Sequence, residues 1–129
     1  MKKIINTSKA PSAIGTYSQA IKANGFLFTS GQLGIDPSCG KLVDGGVRMQ
    51  SDRALKNIDA ILNKSGVKKE NIIKLSVFLI NLKDFQHIND SFSVFFDDNL
   101  NFPARTTIEV NGLPLNALVE IDCIAFLNK

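Results

Sequence analysis

The sequence predicts an α+β fold in the order β-β-α-β-α-β-β, two helices covering one face of one mixed sheet. Three observations carry this. The hydrophobic period changes between two and 3.6 along the chain, one apolar run has the length and β-branching of a central strand, and nothing divides the sequence into parts. At 129 residues with 44% hydrophobic side chains, the chain is long enough for one core and too short for two, so residues 1–129 are expected to form a single domain.

Tyr17 to Ala23 reads as a first, weaker strand, and Asn24-Gly25 supplies the turn into a second, Gly25 to Leu33. Ile35 to Gly46 holds Asp-Pro, Cys-Gly and Gly-Gly and reads as loop. From Val47 to Ser65 the apolar residues Ala54, Leu55, Ile58, Ile61 and Leu62 fall on one helical stripe, which Gly66 can end. Ile72 to Ile80 is almost continuously apolar, as a strand buried on both faces should be. A second helix starts near Asn81, a good capping residue, with Phe85, Ile88, Phe92, Phe95 and Phe96 as its apolar stripe. Arg105 to Val110 and Leu118 to Leu127 are the last strands. In the final one, Val119, Ile121, Cys123, Ala125 and Leu127 point one way, Ile124 and Phe126 the other. Two helices can cover only one face, so another subunit is the natural cover for the second, and an oligomer is expected.

Composition narrows the function classes. The +3 net charge is mild and its lysines are scattered, which suits solubility better than a nucleic-acid footprint. There is no run of about 18 apolar residues to span a membrane, and the amino-terminal residues lack the apolar stretch of a secretory signal. Cys39 and Cys123 lie in unrelated contexts and are expected to be reduced thiols in a cytoplasmic protein. The single histidine, His87, falls off the second helix's apolar stripe and reads as a solvated residue, no base. One His and two distant Cys give no metal-ligand spacing, and neither a phosphate loop nor a dinucleotide fingerprint is present.

The last two strands carry what chemistry there is. Arg105, Thr107 and Glu109 share one face of their strand, and Pro103 stiffens the approach to Arg105. If the loop closes with Val110 opposite Ala117, an antiparallel hairpin sets Thr107 opposite Glu120 and Arg105 opposite Asp122, making Arg105 a diagonal neighbour of Glu120. By spacing alone this pair reads first as a sheet-stabilising ion pair. Its second reading is a site for a small 2-oxo or 2-imino acid, where the guanidinium fork holds the carboxylate and Glu120 accepts a proton from water.

Over essentially its whole length the chain resembles the RidA (YjgF) family of reactive-intermediate imine deaminases. The resemblance rests on Ala10-Pro11, Ile14-Gly15, Tyr17, Thr29-Ser30-Gly31-Gln32, Val77-Phe78, Asp84-Phe85, Asn89 and Phe95-Phe96. Its specific part is Phe102-Pro103-Ala104-Arg105, followed by Leu113-Pro114 and Val119-Glu120-Ile121. It implies a chorismate-mutase-like fold assembled as a homotrimer with sites between subunits. It further implies hydrolysis of 2-iminobutanoate and 2-iminopropanoate to 2-oxo acids and ammonia, without a cofactor. In the implied site Arg105 holds the substrate carboxylate, Glu120 orients or deprotonates the attacking water, and Tyr17, Ser30, Gly31, Asn89 and Thr107 line the pocket. Many deaminating relatives carry Cys where this chain has Thr107, and often Ser where it has Thr106. Two other classes compete: a 2-oxo-acid-binding regulatory module, and an RNA-acting translation inhibitor or ribonuclease. Keeping both Arg105 and Glu120 favours catalysis over binding alone, and one Tyr with no Trp disfavours base stacking.

Overall fold

The structure, a computed structural model, describes residues 1–97 and 101–128. The expected order is present and gains short strands. These are β1 (Lys3–Ile5), β2 (Ala20–Ala23), β3 (Phe26–Thr29), β4 (Gln32–Leu33), β5 (Ile35–Asp36), β6 (Lys41–Leu42), α1 (Gly46–Lys64), β7 (Ile72–Leu79), α2 (Phe85–Phe95), β8 (Ala104–Glu109) and β9 (Val119–Phe126). The stretch read as loop after Leu33 contains the small β5–β6 hairpin, and β1 is too short to leave a periodic signal. Asn24 and Gly25 both have positive φ, the geometry a two-residue hairpin turn needs.

The main sheet runs β1-β2-β3-β9-β7-β8, and only β7 and β8 pair in parallel. This corrects the expected β8–β9 hairpin. β9 sits on the other side of β7, paired antiparallel to both β3 and β7. The reason is backbone hydrogen bonding. The connection through α1 leaves a slot between β3 and β7, which run in the same direction, and β9 fills it, pairing the open edges of both. Beside β8 it would have left β3 and β7 open.

Both helices lie on one sheet face. Leu55, Ile58, Ile61 and Leu62 of α1 and Ile88 and Phe92 of α2 pack on Leu27, Leu75, Val77, Leu79, Val119, Ile121, Cys123 and Ala125. Gly66, at φ +73°, ends α1, and the Val67 N–H closes back onto the Leu62 carbonyl. Asn81 caps the 3-10 turn Leu82–Asp84 that leads into α2, accepting from the Lys83 N–H. β7 is central as expected, but a single chain buries only one of its faces. On the other, Phe26, Phe28, Ile108 and Phe126 remain 38–44% exposed, in rows with Ile21, Phe78 and Ile124. Cys39 is exposed and Cys123 buried, both as free thiols. No helix of the described residues is long and apolar enough to cross a membrane.

One buried amide fixes the β4–β5 segment against α1. Asn57, fully buried, donates to the carbonyls of Leu33 (3.2 Å) and Ile35 (2.9 Å) and accepts from Arg53. Between those carbonyls, Gly34 passes so close to α1 that a Cβ there would sit 2.5 Å from Gln50 Cα. Asn57→Ala strips two carbonyls and a guanidinium of their partner, and a loss of about 3 kcal/mol is expected in urea unfolding. The exposed control Lys83→Ala should stay within about 0.5 kcal/mol of the parent.

Candidate active site

The residues singled out from the sequence fall into two groups on opposite faces of the sheet. Pleat parity requires this. Arg105 registers with Leu75, which registers with Cys123, so Arg105 lies on the helix-covered face. Glu120 registers with Phe78, which registers with Ile108, on the open face. The expected diagonal pair of Arg105 and Glu120 on one face is therefore wrong. It assumed the two strands were neighbours, and β7 stands between them.

The first group surrounds Glu120. A cavity of about 330 Å³ is lined by Tyr17, Gly31, Glu120 and the apolar side chains of Ile14, Leu33 and Leu115, among others. Its floor is made by a break in the β3–β9 ladder. Phe28 pairs with Ile124 but Gln32 pairs with Ile121, so one extra residue bulges at Ser30-Gly31. The Thr29 hydroxyl covers the break by accepting from the Cys123 N–H (3.0 Å). Ser30 anchors the bulge through its N–H to the Gln19 carbonyl and its hydroxyl to the Ser18 carbonyl, so its side chain is committed to backbone. At Gly31 a Cβ would fall 2.6 Å from the Glu120 carboxyl carbon. Only glycine lets the carboxylate lie flat on the bulge.

The cavity's rim depends on residues that sequence reasoning missed. Gln19 is buried and bonds four times to the segment before it, taking the Thr7 N–H and donating to the carbonyls of Thr7, Ala10 and Pro11. That clamp folds the segment over, and the Ile14 N–H donates to the Tyr17 hydroxyl (3.2 Å). Across the mouth, Leu115 and Asn116 are consecutive residues at φ +59° and +57°, a conformation non-glycine residues seldom hold. Asn111-Gly112 and Leu113-Pro114 join the last two strands in the sequence without revealing this strain. Burial raises the Glu120 carboxyl above the ordinary carboxylate range, and the nearby Asp122 charge adds to it. Asp122 is also raised by burial, partly offset by a hydrogen bond with Ser76.

The second group surrounds Arg105. Its Nη2 donates to Asn89 Oδ1 (2.8 Å), and its guanidinium lies 5.0 Å from the Phe85 ring centre and 5.2 Å from that of Phe92. Among the described residues it forms no ion pair. Burial lowers its pKa, and it remains a cation. The adjoining cavity, about 260 Å³, is lined by Asn89, Phe92, Phe102, Pro103 and Arg105. Thr107 follows on the same strand face, and its hydroxyl oxygen is buried without a hydrogen-bond partner among the described residues. The aromatic cradle of Phe85 and Phe92 was visible in the sequence only as a helix stripe. His87 is exposed on α2, away from both groups' lining. Among the described residues no set of three or more His, Cys, Asp or Glu side chains could hold a metal ion.

The fold is that of a small α+β protein with an arginine beside one cavity and a glutamate in another, on opposite faces of one sheet. Comparison with known proteins gives its family. The chain belongs to the Endoribonuclease L-PSP (YjgF/RidA) family, whose model matches residues 7–127. It is 48% identical to a RutC family protein of Aquifex aeolicus, over 94% of this chain and 96% of that one. It is 43% identical to the 2-iminobutanoate/2-iminopropanoate deaminase of Rattus norvegicus, over 97% of this chain and 90% of the relative. The solved structure of the Rid family protein YyfA of Yersinia pestis superposes with a TM-score of 0.94 at 46% identity, covering 98% of this chain and all of that one.

Because Gly31 admits Glu120, Gly31→Ala should keep the fold but push the carboxylate off the bulge. A crystal structure of the variant should show Glu120 in a new rotamer, with stability lower by about 1–3 kcal/mol. An unmoved Glu120 would refute the fit described for this floor.

Proposed function

We propose that this protein hydrolyses small 2-imino acids, 2-iminobutanoate and 2-iminopropanoate, to 2-oxo acids and ammonia, in sites formed between copies of the chain in a homotrimer. The observation that carries the reading is the separation of Arg105 from Glu120 by a sheet. Each half-site is incomplete, and the open face beside Glu120 offers the apolar rows of Phe26, Phe28, Ile108 and Phe126 to another copy. The similarity to named imino-acid deaminases supports the substrate class.

In this reading Arg105, stiffened by Asn89, Phe85 and Phe92, takes the substrate carboxylate bidentately. The neighbouring copy supplies Glu120, Gly31 and Tyr17. The protonated imine is already electrophilic, so the site has mainly to position it beside a water. Water oxygen bonds to the imine carbon while its proton passes to Glu120 and the C=N π pair moves onto nitrogen. The resulting carbinolamine loses ammonia when the hydroxyl proton is transferred to nitrogen and the C=O bond forms, and the proton held by Glu120 passes to the released ammonia, restoring the carboxylate. No covalent enzyme intermediate is needed, so a hydroxyl at Thr107 in place of a thiol is compatible with this reaction.

Freshly generated 2-iminobutanoate should release ammonia and 2-oxobutanoate faster with the protein than without it. Arg105→Ala should lower kcat/KM by at least about 100-fold, and Arg105→Lys should fail to restore it, because a point charge cannot replace the fork. No acceleration by the parent protein would leave a binding module as the better reading. The pH dependence follows from Glu120. A base must be ionised, and its pKa stands above the ordinary 4.5, so activity should fall on acidification through a midpoint above that value. Glu120→Gln should be slow at every pH and lose this acid limb.

A further inference from the structure

One groove belongs to neither half-site. It has a volume of about 550 Å³ and lies between the segment after β1 and the exposed side of α1. Lys9 lines it from the segment; Arg53, Lys56 and Lys64 line it from the helix, with a single carboxylate, Asp59. Four cations against one anion is an excess of three, equal to the formal net charge of the whole chain. The scattered lysines of the sequence thus converge once the chain folds. None of the four forms an ion pair among the described residues. Asp59 interacts electrostatically with Lys69 and Glu70 rather than with the groove's cations. Asp36 does feel Arg53 and Lys56, but its carboxylate is engaged by Ser38.

The geometry selects the ligand. Arg53 and Lys56 are three residues apart on the helix, so their side chains start about 5–6 Å from each other. One carboxylate cannot bridge such a row, whereas a chain of two or three phosphates places an anionic oxygen every few ångströms. The volume is that of a small-molecule pocket. No aromatic side chain lines it to stack a base, which disfavours a nucleic-acid strand.

Hydrogen bonds also connect the groove's walls to those of the Glu120 cavity. Arg53 donates to Asn57 Oδ1, and Asn57 holds the carbonyls of Leu33 and Ile35, both lining that cavity. Thr7, on the other wall, is clamped at both its N–H and its carbonyl by Gln19, which lines it too. We infer that this groove binds a small polyphosphate anion, free or as part of a nucleotide, and that its occupancy is transmitted to the Glu120 cavity through the Arg53–Asn57 and Thr7–Gln19 contacts. The inference stands independently of imine hydrolysis.

Titration calorimetry with inorganic tripolyphosphate, at constant ionic strength, should give one site per chain. Lys56→Glu and Lys9→Glu should each weaken binding at least about tenfold, while Lys83→Glu, with the same charge change elsewhere, should not. Tyr17 is the only tyrosine and there is no tryptophan, so intrinsic emission reports the Glu120 cavity directly. That emission should change with the same binding isotherm in the parent and lose the response in Lys56→Glu. ATP binding as tightly as tripolyphosphate assigns recognition to the phosphates, and tighter binding adds the nucleoside; either supports the site. Absence of binding, equal weakening by Lys83→Glu, tighter binding of a single-stranded oligonucleotide, or binding that leaves Tyr17 unchanged would each overturn it.

Discussion

The constraint on which the rest depends is the place of β7 between β8 and β9. Side chains alternate across a pleated strand, so the register through Leu75 and Phe78 commits Arg105 to the helix-covered face and Glu120 to the open one. No rotamer change brings the two together within a chain. Cooperation between them requires a second copy, and the functional reading and the oligomer become a single question.

Each half-site is prepared by the part of the fold that carries it. Around Glu120 the backbone does the work: a bulge at Ser30-Gly31, a glycine beneath the carboxylate, a clamp at Gln19 and a strained pair at Leu115-Asn116. Around Arg105 side chains do it, with one amide and two rings fixing the cation. Both arrangements hold charge near apolar surface, which costs folding free energy and strengthens electrostatic interactions once water is excluded. Glu120 shows the consequence in its raised pKa.

Much of this was legible in the sequence. The helices announced themselves by period, the Asn24-Gly25 turn by composition, and the open face by Ile124 and Phe126 alternating against the core residues of β9. The RidA resemblance, which the family match bears out, also points to both halves of the candidate site. What could not be read was strand order. A short link between two strands suggests a hairpin, yet β9 gains two paired edges in the slot between β3 and β7 and only one beside β8. Local spacing contains nothing about that competition. The roles of Gln19 and Asn57 were equally hidden, because a buried amide is defined by the distant carbonyls it satisfies.

The central claim, that Arg105 of one copy works with Glu120 of another, is tested most directly by mixing two inactive variants. Arg105→Ala and Glu120→Gln are refolded together in equal amounts, and subunit mixing is verified by native mass spectrometry. If each site draws one half from each of two adjacent copies in a ring of three, about one quarter of the sites regain both native residues, and imine hydrolysis returns to about that fraction of the parent rate. A verified mixed assembly as inactive as either variant alone would contradict the account.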